Sequence, residues 1–133
     1  MSDFAHETTV AVRYRDLDAF GHVNNATYAT YVEEARLDYV HEVLGVEFRD
    51  LGVVVASLSL DFEHPVAERA PVTVETRVEE IGESSLPMAH RVTHGGDVAA
   101  TAETVLVAVD EGGRPRAVPA DWREAVTDFE PHL

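Results

Sequence analysis

The chain has 133 residues, the length of a single domain, and carries 25 acidic against 10 basic residues, a formal net charge of -15. It has no cysteine, which excludes disulfides, thiolate nucleophiles and cysteine-based zinc sites. The negative charge disfavours nucleic acid and anionic membranes as partners. Because no apolar run approaches the ~20 residues of a membrane span, we expect a soluble, cytoplasmic protein.

The charged residues are unusual in kind as well as in balance. Every basic residue is an arginine, and 45% of the chain is hydrophobic in regular patterns, which argues against disorder. The acidic residues either form an ordinary solvated surface or adapt the protein to a halophilic, salt-rich cytoplasm that screens their repulsion. The composition favours the second explanation.

The N-terminal part of the chain predicts a strand followed by a polar loop. Apolar and polar residues alternate from Thr8 to Arg15, and Val10, Val12 and Tyr14 share one face. The loop runs from Asp16 to about Ala26.

A long amphipathic helix is predicted next, from Thr27 to Leu44. Its apolar residues recur at steps of three and four and trace one helical face: Tyr28, Val32, Ala35, Tyr39 and Val43. Gly45 follows at the position where a left-handed residue commonly ends a helix.

The rest of the chain predicts strands in series. Four apolar, β-branched segments are separated by short turns: Val53 to Phe62, Val72 to Ile81, Ser84 to Thr93 and Val98 to Val109. Strands without intervening helices indicate an antiparallel sheet, whose apolar face only the long helix is available to cover. A short closing helix is possible from Pro119 to Val126. The predicted class is therefore α+β, in the order β-α-β-β-β-β.

The loop before the long helix has the densest polar composition in the chain. It carries two aspartates, a histidine, a glycine and two asparagines: Asp16, Asp18, His22, Gly21, Asn24 and Asn25. Catalytic and binding residues often lie on loops that connect rigid elements. The first turn of a helix has unpaired N–H groups that can bind a negatively charged group. A carboxylate just before such donors predicts an active site.

These residues resemble a known family. The pattern Asp16-x-Asp18-x-x-Gly21-His22-Val23-Asn24-Asn25-Ala26-x-Tyr28, followed by Tyr31-Val-Glu33-Glu-Ala-Arg36, resembles the hotdog-fold acyl-CoA thioesterases of the 4-hydroxybenzoyl-CoA thioesterase type. Later segments are similar in the same order: Leu60-Asp-Phe62-x-x-Pro65, Gly82-x-Ser84-Ser85 and Gly113-Arg114-Pro115-Arg116-x-x-Pro119. The resemblance implies one hotdog domain over residues 1–133, a curved antiparallel sheet wrapped around the long helix.

The resemblance also implies an assembly and a substrate. A second copy extends the sheet, active sites lie at the subunit interface, and many relatives are tetramers, so we expect a homodimer or homotetramer that acts on acyl-CoA. Pairing would remove the exposed edge strand of a single chain. A run similar to His22-Val23-Asn24-Asn25 occurs in plant acyl-ACP thioesterases. The acyl carrier therefore stays open, although two strongly acidic proteins would repel each other.

By resemblance, Asp18 is the catalytic carboxylate, acting as nucleophile on the thioester carbonyl or as general base for water. An ordinary aspartate is ionised at neutral pH and needs no separate base to attack. The backbone amide of Asn25, at the helix N-terminus, would polarise the carbonyl oxygen. The structural alternative for Asp18 is a turn or capping aspartate. Asp16 is expected to organise the loop through backbone N–H groups, and Asn24 to cap the helix.

Several further residues are candidates for substrate binding, namely Gly21, His22, Tyr28, Glu33, Ser85, Arg91, Arg114 and Arg116. Gly21 would allow close backbone approach, and the arginines would bind the phosphates of CoA. Each of the other groups has an ordinary structural role as its alternative. Those roles are a satisfied loop histidine, a core tyrosine, a solvated glutamate, a turn serine or surface arginines.

Other chemistries have little support. The seven histidines show no metal-ligand spacing, and the chain has neither a phosphate-binding loop nor the Gly-x-Ser-x-Gly of a serine hydrolase, so we predict no metal and no cofactor. Two alternatives share the predicted fold: a module that binds acyl-CoA without hydrolysis, as a sensor does, and a dehydratase. The loop has the thioesterase arrangement, and a retained Asp18 favours the enzyme over the sensor.

Overall fold

The computed structural model describes residues 4–67 and 69–133. Its main elements are β1 (His6–Val10), α1 (Thr27–Tyr39), β2 (Val53–Phe62), β3 (Val72–Val78), β4 (Ser85–His94), β5 (Asp97–Ala108) and α2 (Ala120–Phe129). The strands form one antiparallel five-stranded sheet in the order β1-β3-β4-β5-β2. The predicted α+β class is confirmed, and the short closing helix predicted from Pro119 to Val126 is present as α2.

Helix α1 lies across one face of the sheet and contacts β1 and β3. Its apolar residues Tyr28, Val32 and Tyr39 are buried, as the sequence pattern predicts. The helix continues as a π-helical turn over Val40–Leu44 and ends at Gly45, whose φ is 71°. In the described part of the chain, no helix combines the length and the apolar character that crossing a membrane requires.

Two apolar clusters fill the space between helices and sheet. We call the cluster around the first half of α1, and the end of the sheet where it lies, the open end. The open-end cluster includes Val10, Val12, Val23, Tyr28, Tyr31, Val32, Val66, Val72 and Val92. We call the cluster around the second half of α1, and the end of the sheet where it lies, the closed end. The closed-end cluster includes Tyr39, Val40, Leu86, Met88, Leu106, Trp122 and Val126. Because α2 contributes Trp122 and Val126, the long helix is not the only cover of the sheet, which corrects the prediction.

A buried polar layer lies on the same face of the sheet. His90 of β4 contacts the hydroxyls of Thr76 on β3, 3.1 Å from Nδ1, and Thr104 on β5, 2.9 Å from Nε2. Burial, together with the charge of Arg36, lowers the pKa of His90 to about 3, so its ring is neutral at neutral pH. Arg36 itself is only 6% exposed, unusually low for a helix arginine.

The first strand is shorter than its alternation predicts. It ends at Val10, and the chain turns through a 3₁₀ helix at Tyr14–Asp16, where Tyr14 is 77% exposed. The Asp16 carboxylate accepts a hydrogen bond from the backbone N–H of Arg13 at 2.8 Å and so stabilises this turn. A local side-chain bond therefore overrides the strand pattern over the last residues of the prediction.

Candidate active site

Asp16 fixes the start of the polar loop against helix α1. Its Oδ2 accepts hydrogen bonds from the Arg13 N–H and the Tyr31 hydroxyl, both at 2.8 Å, and its carbonyl accepts the Asn24 N–H at 2.8 Å. Burial, and then the bond to Asp16, raises the pKa of Tyr31, so this hydroxyl stays a donor. Asp16 thus organises the loop, as the sequence predicts.

The two carboxylate oxygens of Asp18 differ in their hydrogen bonding. Oδ1 accepts the backbone N–H groups of Phe20 at 2.8 Å and His22 at 3.1 Å, which is the bonding of a turn aspartate. Oδ2 makes no hydrogen bond within residues 4–67 and 69–133. The turn interpretation of Asp18 is therefore observed for one oxygen, and the other oxygen has no partner in this part of the chain.

Gly21 is needed for its backbone conformation. Its φ is 78°, a region that L-residues with a side chain rarely adopt, and its N–H donates to the Asp18 carbonyl at 3.0 Å. A Cβ built at this position meets no atom within 4 Å. The backbone conformation thus requires a glycine here, and the predicted close approach of backbone to substrate stays a prediction.

The start of α1 presents an unpaired backbone donor. Asn24 closes the turn just before the helix: its side-chain oxygen accepts the Ala26 N–H and its carbonyl accepts the Thr27 N–H, each at 2.9 Å. The capping position of α1 itself is Ala26, so the expected cap lies two residues too early. The N–H of Asn25 has no hydrogen-bond acceptor among the described residues. Such a donor, at the positive end of a 13-residue helix, suits a negatively charged oxygen.

A cavity of about 220 Å³ lies beside this loop. One wall is formed by Asp18, His22, Val23, Asn25 and Tyr28, and the other by Phe62, Glu63, His64 and Pro65. Four of the residues predicted to form the site, Asp18, His22, Asn25 and Tyr28, are therefore brought together. Carboxylate and imidazole groups face this space from both sides.

The second wall, which the sequence analysis did not identify, is held by backbone bonds. The N–H groups of Glu63 and His64 both donate to the Ala99 carbonyl, at 2.8 and 3.1 Å, and the Val23 N–H donates to the Val66 carbonyl at 2.8 Å. The last bond joins the two walls directly. The sequence did contain a signal for Glu63 and His64. They are the two unspecified positions of the pattern Phe62-x-x-Pro65, which is similar to a segment of the hotdog-fold thioesterases.

Tyr28 forms an aromatic contact between the core and the cavity. The ring is 2% exposed and packs edge to face against Phe62 at 5.3 Å and Tyr31 at 6.0 Å. Burial is the main cause that raises the pKa of Tyr28, so the hydroxyl stays neutral. Tyr28 thus serves both as core residue and as cavity wall.

Two predicted binding residues have other partners in the single chain. Glu33 lies on the exposed face of α1, 3.9 Å from a terminal nitrogen of Arg36, and does not line the cavity. Arg91 makes two bonds to the carboxylate of Glu75, at 2.9 and 3.1 Å, and its guanidinium lies 4.7 Å from the centre of the Phe4 ring. The Glu75 carboxylate thus occupies the two N–H donors of the Arg91 guanidinium that a phosphate would need.

Ser85, Arg114 and Arg116 lie at the closed end of the sheet, away from Asp18. Ser85 begins β4, and the Arg116 N–H donates to the carbonyl of Ala108, the last residue of β5, at 2.9 Å. The Arg116 guanidinium lies 5.3 Å from the centre of the Trp122 ring. One chain alone therefore does not bring these three residues to the cavity.

Comparison with known proteins gives consistent matches. A family model described as "Thioesterase-like superfamily" matches residues 12–128. A thioesterase from Thermus thermophilus, whose crystal structure is complexed with coenzyme A and Zn, is 38% identical, with a TM-score of 0.91 over 98% of this chain and 97% of that one. The hotdog fold predicted by resemblance is confirmed.

Two curated relatives are more distant. The long-chain acyl-CoA thioesterase FadM of Escherichia coli (strain K12) is 26% identical over 109 residues, which are 78% of this chain and 83% of FadM. The uncharacterized protein YsmA of Bacillus subtilis (strain 168) is 31% identical over 88 residues, which are 65% of this chain and 60% of YsmA. The match thus spans less than two thirds of the length of YsmA.

Proposed function

The chain belongs to the thioesterase-like superfamily, a family of thioester hydrolases, and we propose that it hydrolyses the thioester of a CoA-linked acyl or aroyl group with Asp18 as the reacting carboxylate. One observation carries the proposal: Asp18 and the unpaired N–H of Asn25 belong to the same wall of one cavity. A nucleophile or base beside a donor for the developing oxyanion is what acyl transfer requires.

The two oxygens of Asp18 suggest how the reaction proceeds. The two hydrogen bonds to Oδ1 hold the carboxylate in one orientation, so Oδ2 either attacks the thioester carbon or takes a proton from an attacking water. Attack moves charge onto the carbonyl oxygen, which the Asn25 N–H stabilises. The carbon–sulfur bond then breaks, and CoA leaves as a thiolate. On the general-base route, the proton taken up by Asp18 passes to that thiolate and the carboxylate is restored. On the nucleophilic route, water hydrolyses the resulting acyl anhydride and restores the carboxylate.

A homodimer would complete this site. Strand β2 is an unpaired edge of the described sheet, and its apolar side chains Val54, Val55, Leu58 and Phe62 are 41–47% exposed. Exposed apolar edges invite pairing with another chain. A second copy paired antiparallel along β2 buries this surface and continues the sheet about a two-fold axis.

The two-fold axis also explains why the predicted residues lie at opposite ends of the sheet. Antiparallel pairing of β2 with β2 places the closed end of one copy against the open end of the other. Ser85, Arg114 and Arg116 of a second copy then approach the cavity of the first. Arginine there would bind the phosphates of CoA in a protein that otherwise repels anions.

Three observations favour CoA over an acyl carrier protein as the donor, against the name of another relative, the acyl-acyl carrier protein thioesterase ATL3 of Arabidopsis thaliana, which is 26% identical over 136 residues. The Thermus structure contains coenzyme A, and FadM is named an acyl-CoA thioesterase. The net charge of -15 also opposes association with an acidic carrier. The same charge supports a salt-rich cytoplasm as the working environment.

The proposal is tested by thiol release from a panel of acyl- and aroyl-CoAs at high KCl. We expect Asp18→Asn to lower kcat/KM by roughly 10³-fold, the scale of a lost acid, base or nucleophile, with unfolding midpoint and CoA binding retained. Asp128→Asn, on the exposed part of α2, is the matched control and should leave kcat/KM unchanged. Turnover that survives Asp18→Asn would refute the mechanism. Binding without turnover by the wild type across the panel would favour the sensor alternative.

A mixing experiment tests the shared site. Chains carrying Asp18→Asn are refolded together with chains carrying Arg114→Ala and Arg116→Ala. Random pairing yields heterodimers with one intact site, so activity should return to about a quarter of the wild-type value. Mixtures that stay as inactive as the two parents would show that each site is built from one chain.

A further inference from the structure

We propose that His6, Asp38 and Glu42 form a binding site for a divalent transition-metal ion, with Zn²⁺ as the preferred occupant, between strand β1 and the C-terminal half of helix α1. This site lies apart from the cavity at Asp18, whose lining residues are all different. The proposal concerns stability rather than hydrolysis. It stands independently of the proposed reaction and departs from the sequence-based expectation of no metal, because the three ligands come together only in the fold.

The ligand atoms have the spacing of a metal site. His6 Nε2 lies 2.9 Å from Glu42 Oε2 and 3.7 Å from Asp38 Oδ2, and the three atoms all fall within 4.8 Å of one another. Ligands in a tetrahedral zinc site, with bonds of 2.0–2.2 Å, lie about 3.4 Å apart. The two measured distances bracket that value, so an ion can be accommodated with small side-chain adjustments.

The histidine ring is buried and lacks a hydrogen bond. His6 is 2% exposed, and neither ring nitrogen makes a hydrogen bond within the described residues, although Nε2 is close to Glu42. A buried polar nitrogen without a partner is costly. The ring is held edge-on by Tyr39 at 5.3 Å and Phe129 at 6.3 Å. A metal ion bound to Nε2 would supply the partner that this buried nitrogen lacks.

The helix supplies both carboxylates from one side. Asp38 and Glu42 are four residues apart, one turn of helix, and the π-helical turn begins between them at Val40. Single π-turns within helices are frequent at functional sites. The Thr8 hydroxyl donates to Asp38 Oδ2 at 2.7 Å, an outer contact of the kind that orients metal-binding carboxylates.

The donor set selects the class of ion. One imidazole nitrogen with two carboxylate oxygens suits Zn²⁺ and similar transition metals, whereas Ca²⁺ and Mg²⁺ prefer sites made of oxygen alone. The strongly negative chain attracts cations in general. The buried imidazole is what distinguishes this site from the acidic surface around it.

The test uses the full chain without a histidine tag, stripped with a chelator and titrated with Zn²⁺ while thermal unfolding is followed. We expect one tight site per chain and a rise in Tm on the order of 5–10 °C at about a hundredfold excess over Kd. Asp38→Asn and Glu42→Gln should each weaken binding by about 10-fold or more, the scale seen when a metal-site contact is lost. Both residues are partly exposed, so neither change disrupts the core.

Glu47→Gln is the matched control. Glu47 is also an exposed glutamate beside a histidine, 3.6 Å from His41, and its replacement removes the same charge. Co²⁺ in place of Zn²⁺ should give the visible bands of a tetrahedral ion in wild type and Glu47→Gln, and lose them in Glu42→Gln. Equal Zn²⁺ effects in all variants, or no effect in wild type, would overturn the proposal. A Tm decrease in Glu42→Gln that is the same with and without Zn²⁺ would show a His6–Glu42 ion pair instead, and would also overturn it.

Discussion

The two ends of helix α1 treat polar groups in opposite ways. At the open end, the Asn25 N–H and one oxygen of Asp18 have no hydrogen-bond partner among the described residues and border a cavity. At the closed end, the Tyr39 hydroxyl and the Val78 N–H both donate to Oε2 of buried Glu130, at 2.6 and 2.8 Å.

This difference assigns the proposed reaction to the open end of helix α1 and the stability of the fold mainly to the closed end. The unpaired groups at the open end border a cavity that a ligand can enter, whereas apolar packing dominates where α2 covers the sheet, although His6 and one oxygen of Glu130 lack hydrogen bonds there. Substitutions at the closed end should therefore change unfolding free energy, and substitutions at the open end should change turnover. The following experiments test that separation.

The largest expected effect comes from emptying the closed-end cluster. Leu106 is 1% exposed, and Leu106→Ala should lower the unfolding free energy by about 2–5 kcal/mol while kcat/KM stays within about twofold. Urea unfolding and steady-state kinetics on the same samples measure both. Val92→Ala, at the open end, is the counterpart and should lower kcat/KM as well, because Val92 belongs to the cluster that supports Tyr28. Equal kinetic losses in the two variants would remove the distinction between the ends.

A smaller loss is expected from Glu130→Ala, about 2 kcal/mol. The change leaves the Tyr39 hydroxyl and the Val78 N–H without their acceptor, and it also removes a buried Oε1 that has no hydrogen bond, which offsets part of the cost. Burial, with the bond to Glu130, raises the pKa of Tyr39, so this hydroxyl remains a donor at every working pH. Tyr39→Phe, which keeps the acceptor and removes one donor, should cost less. Unchanged urea midpoints in both variants would contradict this account.

The pH dependence of stability should depend on His90. Its folded pKa, about 3, lies below the ordinary 6.5, so between these values the unfolded chain binds a proton that the folded chain does not. Stability from this group is complete above pH 6.5 and falls by about 1.4 kcal/mol per pH unit as the pH drops towards 3. The difference in unfolding free energy between wild type and His90→Gln isolates this contribution from that of the carboxylates. His41→Gln, with a side chain that is 67% exposed, should leave the slope unchanged.

The smallest and most general effect is that of salt. If the acidic surface serves a salt-rich cytoplasm, added KCl should raise the unfolding midpoint gradually by screening repulsion over the whole chain. Because screening acts on both ends, Leu106→Ala and Val92→Ala should keep their difference at every KCl concentration. A midpoint that is independent of KCl would count against halophilic adaptation.

Much of the fold could be predicted because it follows from local patterns. The limits of β2 agree with the apolar run from Val53 to Phe62, and the helical segment ends at Gly45 as its position suggests. The predicted strand at Thr8–Arg15 was too long because a single Asp16 side-chain bond turns the chain early. Such a bond is invisible to a pattern that only counts apolar and polar residues.

The buried polar groups could not be predicted, because their partners come from distant parts of the chain. One oxygen of Glu130 is paired with Tyr39, 91 residues away, and His90 contacts threonines on the two neighbouring strands. The candidate site shows the same limit: the loop of Asp18 was recognised as one continuous motif, whereas Glu63 and His64 reach the cavity only through the pairing of β2 with β5. One chain also separates Arg116 from Asp18, which only an assembly could reverse.

The backbone bond from Val23 to Val66 has a consequence for access to the cavity. Because it connects the loop of Asp18 to the segment that follows β2, the two sides cannot separate at this point without breaking a 2.8 Å hydrogen bond between main-chain atoms. Widening is therefore left to the rim at Phe62, whose ring is 46% exposed. Main-chain geometry thus fixes one side of the cavity, and the side chain of Phe62 bounds the other.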